Sequence, residues 1–292
     1  MVRQEPAKLP FLSSNLSATF LKKISYMLVL VATPIGNLGD FSFRAVEALK
    51  KADAILCEDT RRSSILLSHY GIEKPLYSYH KFNERKNLEV VLERLRAGDE
   101  IALISDAGTP CLNDPGSILV QACIEEGIPF TTVPGACSPI AALLLSGFDA
   151  ARFQYIGFLP RKPREMLRKA LGYAGTTIAL ESPERLIDTL EELASIHPGC
   201  RVAVAREMTK AFEECRRGPV EEVLDYFRAK GVKGEVCLVL AGGEMPSEAM
   251  PLDELIELLR ETHGLPLKEA IKLAASLLKR PKSEIYREVH RK

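Results

Sequence analysis

The stretch LVLVATPIGNLGD, Leu28 to Asp40, decides how this chain is read. Leu28 to Ala32 form an unbroken apolar run, the mark of a short strand covered on both faces. Thr33, Pro34, Gly36, Asn37, Gly39 and Asp40 then break that strand. Ala45, Val46, Ala48 and Leu49 follow on one helical stripe. A strand that runs through a Gly-rich turn into a helix is where α/β proteins bind small ligands, because glycine lets the backbone approach the ligand closely. The turn has neither the GxGxxG spacing of dinucleotide folds nor the GxxxxGK[ST] of phosphate loops. Any strand-to-helix connection can hold Gly and Pro, so the turn alone names no ligand.

The 292 residues suffice for two domains with separate cores. Hydrophobic residues at 46% and charged residues at 27% are ordinary for a soluble globular protein. Lys+Arg and Asp+Glu both number 39, so any contact with nucleic acid has to come from local basic patches, not from a global field. No apolar run approaches the roughly 20 residues of a membrane span, so no membrane partner is expected. Seven cysteines without a CxxC pair argue against a zinc site or redox motif. Cys57, Cys123 and Cys237 lie in apolar segments, which suits reduced core thiols and a cytoplasmic location. The five histidines are scattered with no HExxH, so no protein-bound metal is expected.

Residues 1–26 differ from the rest: they are rich in Ser, hold Arg3, Lys8, Lys22 and Lys23, and have one acidic residue, Glu5. A targeting peptide is one reading, but no apolar core with a small-residue cleavage site is present. A disordered extension, or a start codon placed too early, fits better, and Met27 directly before the first strand favours the second.

Beyond Met27, short apolar runs alternate with helical stripes. Strands are expected at Ala54–Cys57, Leu76–Tyr79, Glu100–Ile104 and Pro129–Val133. Helices are expected at Ser63–His69, Leu88–Ala97, Ser117–Glu126 and Ile140–Leu145. Such a βαβα order implies a mostly parallel sheet. After a pause near Phe148–Arg152 a second α/β region begins. Its strands are expected at Gln154–Phe158, Thr177–Leu180, Val202–Ala205, Phe212–Arg216 and Val236–Leu240, with helices at Arg164–Leu171, Pro183–Ile196 and Val220–Ala229. Ala241 to Pro251 is loop-like. Three helices follow, Leu252–Arg260, Pro266–Lys279 and Lys282–His290, with a basic end; a helix-turn-helix unit or a dimer arm would both read this way. The expected domains are therefore 27–147, 148–245 and 246–292.

TPIGNLGDFSFRAVEAL, CEDTRR, YSYHKFNE, LISDAGTPCLNDPG and VPGACSPIAAL occur in this order, with ESPERL, AREMTKAFEE and KGEVCLVLAG after them. Together they resemble the tetrapyrrole-methylase superfamily, and more closely its branch acting on small-subunit ribosomal RNA, over residues 28–292. One departure is PGACSP, where the family usually has PGPSA, which shifts Ser138 by one position. The resemblance implies two α/β domains with a cleft between them plus a small C-terminal helical unit. It also implies a homodimer that transfers a methyl group from S-adenosylmethionine to a cytidine ribose 2′-OH in the decoding region of 16S ribosomal RNA, within the 30S subunit.

Applied to this sequence, the resemblance implies cofactor contacts from Thr33, Pro34, Gly36, Asn37, Ser105, Asp106, Ala107, Gly108, Thr109, Pro134, Gly135 and Ser138. It adds Ala205, Arg206 and Gly242 from the second region. Ser105 and Asp106 stand at the carboxyl end of a buried strand, as ligand-binding residues of open α/β sheets do, although a plain Asp-Gly turn has the same sequence. Substrate contacts are expected from Asp59, Arg61, Arg62, Asn83, Glu84, Arg185 and Lys210. Methyl transfer to a hydroxyl needs an in-line arrangement and a base. Glu58, at a strand end, and His80, in a loop, are the candidates, against helix capping by Asp59 or Thr60 and a merely superficial His80. For RNA, Arg61/Arg62, Arg161–Lys169 and Lys279–Lys292 offer charge, and Tyr79, Phe82 and Tyr286 offer rings for stacking on an unpaired base. Two rival functions remain: a tetrapyrrole C-methyltransferase, and a non-catalytic RNA-binding assembly factor.

Overall fold

A computed structural model of the chain describes residues 27–243, 252–277 and 280–289. The expectations for residues 1–26 and for most of the Ala241–Pro251 loop lie outside the described residues. The chain divides into two compact units, at Ala136/Cys137.

The first unit is a doubly wound sheet. Its strands are β1 (Leu28–Val31), β2 (Ala54–Cys57), β3 (Leu76–Ser78), β4 (Ile101–Ile104) and β5 (Phe130–Val133). They lie in the order β3-β2-β4-β1-β5, and every pairing is parallel. Successive side chains of a strand point to opposite faces. Accordingly Val31, Ile55, Ala102 and Ile104 join one core with α1 (Phe43–Lys51) and α2 (Thr60–His69). Leu28, Leu56, Ile101 and Leu103 join the other with α3 (Glu84–Arg96) and α4 (Ser117–Glu126). Both faces are covered, which is why β2 and β4 read as continuous apolar runs with no alternation. Because β1 leads into a helix on one face and its neighbour β4 into a helix on the other, the loops after β1 and β4 diverge. That divergence is the topological switch point of the sheet.

Two helices start earlier than periodicity suggested. Asp59 caps α2, accepting from the Arg61 N–H at 2.9 Å, so the polar residues from Thr60 are already helical. α3 begins at Glu84, which is buried where the apolar stripe gave no sign of it.

The second unit begins with α5 (Ser138–Ser146), whose Ala142 and Leu143 are buried. This helix packs on strands of the second sheet, so the break between units falls ahead of it and not at residue 147. That sheet holds β6 (Phe153–Phe158), β7 (Thr176–Glu181), β8 (Arg201–Arg206), β9 (Glu214–Pro219) and β10 (Val236–Leu240), in the order β6-β7-β10-β8-β9. Only β6 and β7 run parallel; β10 is antiparallel to both its neighbours, and β9 to β8. α6 (Arg164–Gly172), α7 (Leu186–Ile196) and α8 (Val220–Lys230) bury Leu167, Leu190, Leu193, Val223 and Phe227 against one face. β9 begins later than expected, because an edge strand rich in charge carries no apolar signature, and Phe212 before it is exposed. α9 (Leu252–His263), α10 (Leu267–Leu277) and α11 (Lys282–Val289) form a three-helix cluster around Ile256, Ile271, Ala274 and Ile285. No helix among the described residues is long and apolar enough to cross a membrane.

Past β10, the backbone at Gly242 lies directly against the Tyr173–Gly175 turn. A Cβ there would stand 2.1 Å from the Gly175 carbonyl oxygen and 2.2 Å from that of Tyr173. Backbone atoms cannot swing aside as a side-chain end can. Gly242→Ala should therefore cost about 1–3 kcal/mol through overpacking. A lowered midpoint in urea unfolding is the expected result, and an unchanged midpoint would contradict this packing.

Candidate active site

All five strands of the first sheet point their carboxyl ends to one rim, so the loops after β1, β2, β3, β4 and β5 meet there. Across the switch point, Thr33 and Gly108 exchange backbone hydrogen bonds: Thr33 N–H to the Gly108 carbonyl at 2.9 Å and Gly108 N–H to the Thr33 carbonyl at 3.1 Å. The buried Thr33 hydroxyl donates to the Ser105 carbonyl at 3.0 Å, and the Thr109 hydroxyl to the Ala136 carbonyl at 3.0 Å. These two hydroxyls tie loops together and are not aimed outward. Gly108 adopts φ +86°, and a Cβ there would meet Ile35 Cγ2 at 3.3 Å, so only bare backbone fits well. Gly135 lies against Ala32, where an added Cβ would come to 3.0 Å of the Ala32 methyl. Pro34 and Ala107 are at least partly open, Pro134, Gly36 and Asn37 are exposed, and the Asn37 side chain accepts from the Gly39 N–H at 2.9 Å, capping a short 3₁₀ turn.

Beside this clasp is a group of acids. The Asp106 carboxylate accepts from the Asp59 N–H at 3.0 Å and sits 3.5 Å from Arg62. Asp59 turns its own carboxylate to Arg61, at 3.0 and 2.7 Å, which holds it well below the usual carboxylate range. Glu58 is pushed the other way: burial raises its pKa, and the negative charges of Asp114 and Asp106 add to the shift, with Lys81 and Arg62 opposing it. Asp114 is likewise raised by burial, despite a hydrogen bond from the Ser105 hydroxyl and the nearby Lys81. Carboxylates with environments that push their pKa values apart are a mark of acid–base sites. Asp114 was not among the residues expected from sequence. The signal that could have found it is its place in the same loop as Asp106, eight residues along, folded back to the Ser105 that precedes the loop.

The loop after β3 resolves several other expectations. His80 Nδ1 accepts from the Phe82 N–H at 3.3 Å, so in the neutral ring the other nitrogen carries the proton. Asn83 is spent on the loop itself, its Oδ1 accepting from the His80 N–H at 2.8 Å and its Nδ2 donating to the Ser78 carbonyl at 3.0 Å. Glu84 turns inward: its Oε2 accepts from the buried Gly116 N–H at 3.1 Å, a structural contact that takes it away from the rim surface. Tyr79 is fully buried in the core and is no stacking surface, whereas the Phe82 ring is 98% exposed. Tyr286 is half-exposed, on α11.

In the second unit, Ala205 is buried in β8. Arg206 is committed to Glu214 at 2.6 Å and to the Lys233 carbonyl at 3.1 Å, and Lys210 to Glu207 and Glu235 at 2.9 and 3.1 Å. Ser138, at the start of α5, hydrogen-bonds the Cys237 thiol. Register places Arg206, Glu181 and Val236 side by side on one edge of the sheet. Arg185 follows on that edge, paired with Glu181 at 2.6 Å. Gly242 follows Leu240, which pairs with Val202 at the other end of β8, so the structure separates Gly242 from Ala205 and Arg206. Its glycine is explained by packing.

The sequence profile of the Tetrapyrrole (Corrin/Porphyrin) Methylases matches residues 27–224. Among individual proteins, the chain is 41% identical to the ribosomal RNA small subunit methyltransferase I of Halalkalibacterium halodurans, over 90% of this chain and 94% of that one. It is 41% identical to the protein of that name in Escherichia coli O157:H7, over 89% and 93% of the two chains. With the one in Thermotoga maritima it shares 44% identity over 74% of this chain and 99% of that one. Among solved structures, diphthine synthase superposes with a TM-score of 0.61 at 14% identity, over 75% of this chain and 90% of that one. The uroporphyrin-III-C-methyltransferase of Thermus thermophilus gives 0.55 at 20% identity, over 73% and 93%; at these identities the likeness is one of fold. With the family profile matched over residues 27–224 and about 40% identity along nearly the whole length of its relatives, the chain belongs to the tetrapyrrole methylases and, within them, to the ribosomal RNA small subunit methyltransferase I family.

Proposed function

We propose that the chain is an S-adenosylmethionine-dependent methyltransferase that modifies a cytidine ribose 2′-hydroxyl in the decoding region of 16S ribosomal RNA. It acts on the 30S subunit, in the cytoplasm, as a homodimer. The relatives' names support ribosomal RNA as the substrate. The observation that carries the chemistry is the Glu58 carboxylate at the end of β2, raised by its burial and by the charges of Asp114 and Asp106, on the rim where the strand-end loops meet. A carboxylate with a raised pKa is a stronger proton acceptor than an ordinary one as long as it is ionised.

S-adenosylmethionine suits this rim. The Gly108 backbone packs tightly beside Ile35, which leaves Pro34, Ala107, Pro134 and Gly135 at the rim surface to line an adenine ring, and the Asp106 carboxylate is an acceptor for ribose hydroxyls or an amino group. When bound, the cofactor supplies a methyl group on a sulfonium, which needs no further activation. The chain's task is then to hold the ribose O2′ in line and to take its proton. Glu58 receives that proton as the O–C bond forms and the C–S bond breaks. His80 is the weaker candidate, because its Nδ1 lone pair is engaged by Phe82 N–H and its Nε2 is then a donor. Arg62, 73% exposed on its side chain, meets the RNA backbone, and the exposed Phe82 ring offers a stacking surface for an unpaired base.

Tritium transfer from labelled cofactor to 30S subunits, to naked 16S RNA and to uroporphyrinogen tests the substrate. Label in a cytidine ribose of the 30S sample is expected; label in uroporphyrinogen alone would overturn the proposal. Glu58→Gln should lower single-turnover methylation by about 10²–10⁴-fold, and His80→Ala by far less. A Glu58→Gln rate within twofold of wild type would remove Glu58 as the base. Activity should fall as pH drops through the raised Glu58 pKa, because protonation removes the acceptor. Asp114→Asn deletes a negative charge that raises that pKa, so the acid limb of the pH–rate profile should move to lower pH. A limb that stays in place or moves upward would contradict this coupling.

A further inference from the structure

The second unit carries a cavity of about 370 Å³, walled by Arg161, Lys162 and Arg164 on one side and by Glu181, Arg185 and Asp188 on the other. It lies at the carboxyl ends of β6 and β7, the one parallel pair in that sheet, between the loop before α6 and the first turn of α7. At its base, the Glu181 side chain is 1% exposed and fully engaged. It accepts from the Ser182 N–H at 2.7 Å and the Thr189 hydroxyl at 2.7 Å, and pairs with Arg185 at 2.6 Å. The Arg185 Nε donates to the Ser182 hydroxyl at 3.1 Å. This guanidinium is thus fixed in direction, with Nη1 left uncommitted among the described residues and its side chain one-third exposed to the cavity. Arg164 is held in the same way by Glu192 and by Ser195 at 3.0 Å. Arg161 and Lys162, between Pro160 and Pro163, are exposed and make no ion pair among the described residues.

The charges in the wall decide what fits. Glu181 cancels Arg185 and Glu192 cancels Arg164, which leaves Arg161 and Lys162 against Asp188. The balance is cationic, and the donors are two pinned guanidinium groups and two mobile cations. A pinned guanidinium presents paired N–H donors at fixed spacing, which matches phosphate oxygens and is not reproduced by lysine. A volume of that order takes a nucleotide-sized group, not a bare ion.

We infer that this cavity is an anchor for a phosphodiester of the substrate RNA, separate from the acid cluster of the first unit. The inference rests on the reading that RNA is the substrate. Arg185, positioned by Glu181, and the Arg161–Lys162 pair grip one stretch of backbone, whatever its sequence.

The test is a titration of 30S subunits and of a decoding-region RNA hairpin against full-length wild type and Arg161→Gln/Lys162→Gln at several salt concentrations. Both side chains are exposed and make no ion pair among the described residues, so the variant should fold; Arg185→Lys is the second variant, and unfolding in urea checks both. Expected results are affinity about tenfold weaker at physiological salt, a salt slope shallower by roughly 0.7 for each cation removed, and a loss that falls on KM for the 30S subunit and not on kcat. Cofactor affinity by calorimetry should be unchanged. A steep wild-type slope that persists in the variant overturns the anchor and leaves the methylation reading intact. A loss of S-adenosylmethionine affinity with RNA binding unaltered also overturns it, since the cavity would then serve the cofactor. A wild-type protein that neither binds nor methylates RNA overturns both.

Discussion

The first unit depends on the two-way backbone clasp between Thr33 and Gly108. β1 and β4 are neighbours whose following helices lie on opposite faces, so their loops would part at the rim if nothing joined them. The clasp joins them, and the Thr33 hydroxyl adds a third tie to Ser105. Each such bond is worth only about 1 kcal/mol net, but a buried group left unpaired there would cost more than that. Its larger effect is geometric. It fixes the backbone from which Asp106 and Asp114 reach the rim, and Asp106 in turn fixes the start of the Glu58–Arg62 segment through the Asp59 N–H.

The acid cluster follows from this arrangement. Burial disfavours the charged forms of Glu58, at the end of β2, and Asp114, in the loop after β4, and the negative charge of Asp106 adds to it, so both are lifted from their ordinary range. Asp59 escapes by turning to Arg61 and stays low. One loop segment therefore contains a carboxylate whose pKa is lowered and, beside it, one whose pKa is raised. The cations Lys81 and Arg62 moderate the repulsion without cancelling it. In the second unit the same physics has a different result: the deeply buried Glu181 is fully satisfied, and serves to aim an arginine.

The Thermotoga maritima relative is aligned over 99% of its length to only 74% of this chain. In this chain α9–α11 bury Ile256, Ile271 and Ile285 in a core of their own.

The sequence alone determined the order of strands and helices, a mostly parallel first sheet and the Gly-rich loops at its carboxyl rim. These depend on local patterning: apolar runs of strand length, glycine-rich breaks and helical stripes, each of which is a property of neighbours along the chain. Only the tertiary structure decided that α5 belongs with the second sheet, that β10 inserts antiparallel between β7 and β8, and that Gly242 sits on the edge away from Arg206. It also decided which side chains face out. Glu84 and Tyr79 are inside, Phe82 is outside, and Asp114 joins Glu58 from another strand's loop. Such placements are set by pairing and packing between segments far apart in sequence, and a side chain's contacts across that distance leave no periodic trace in its own segment.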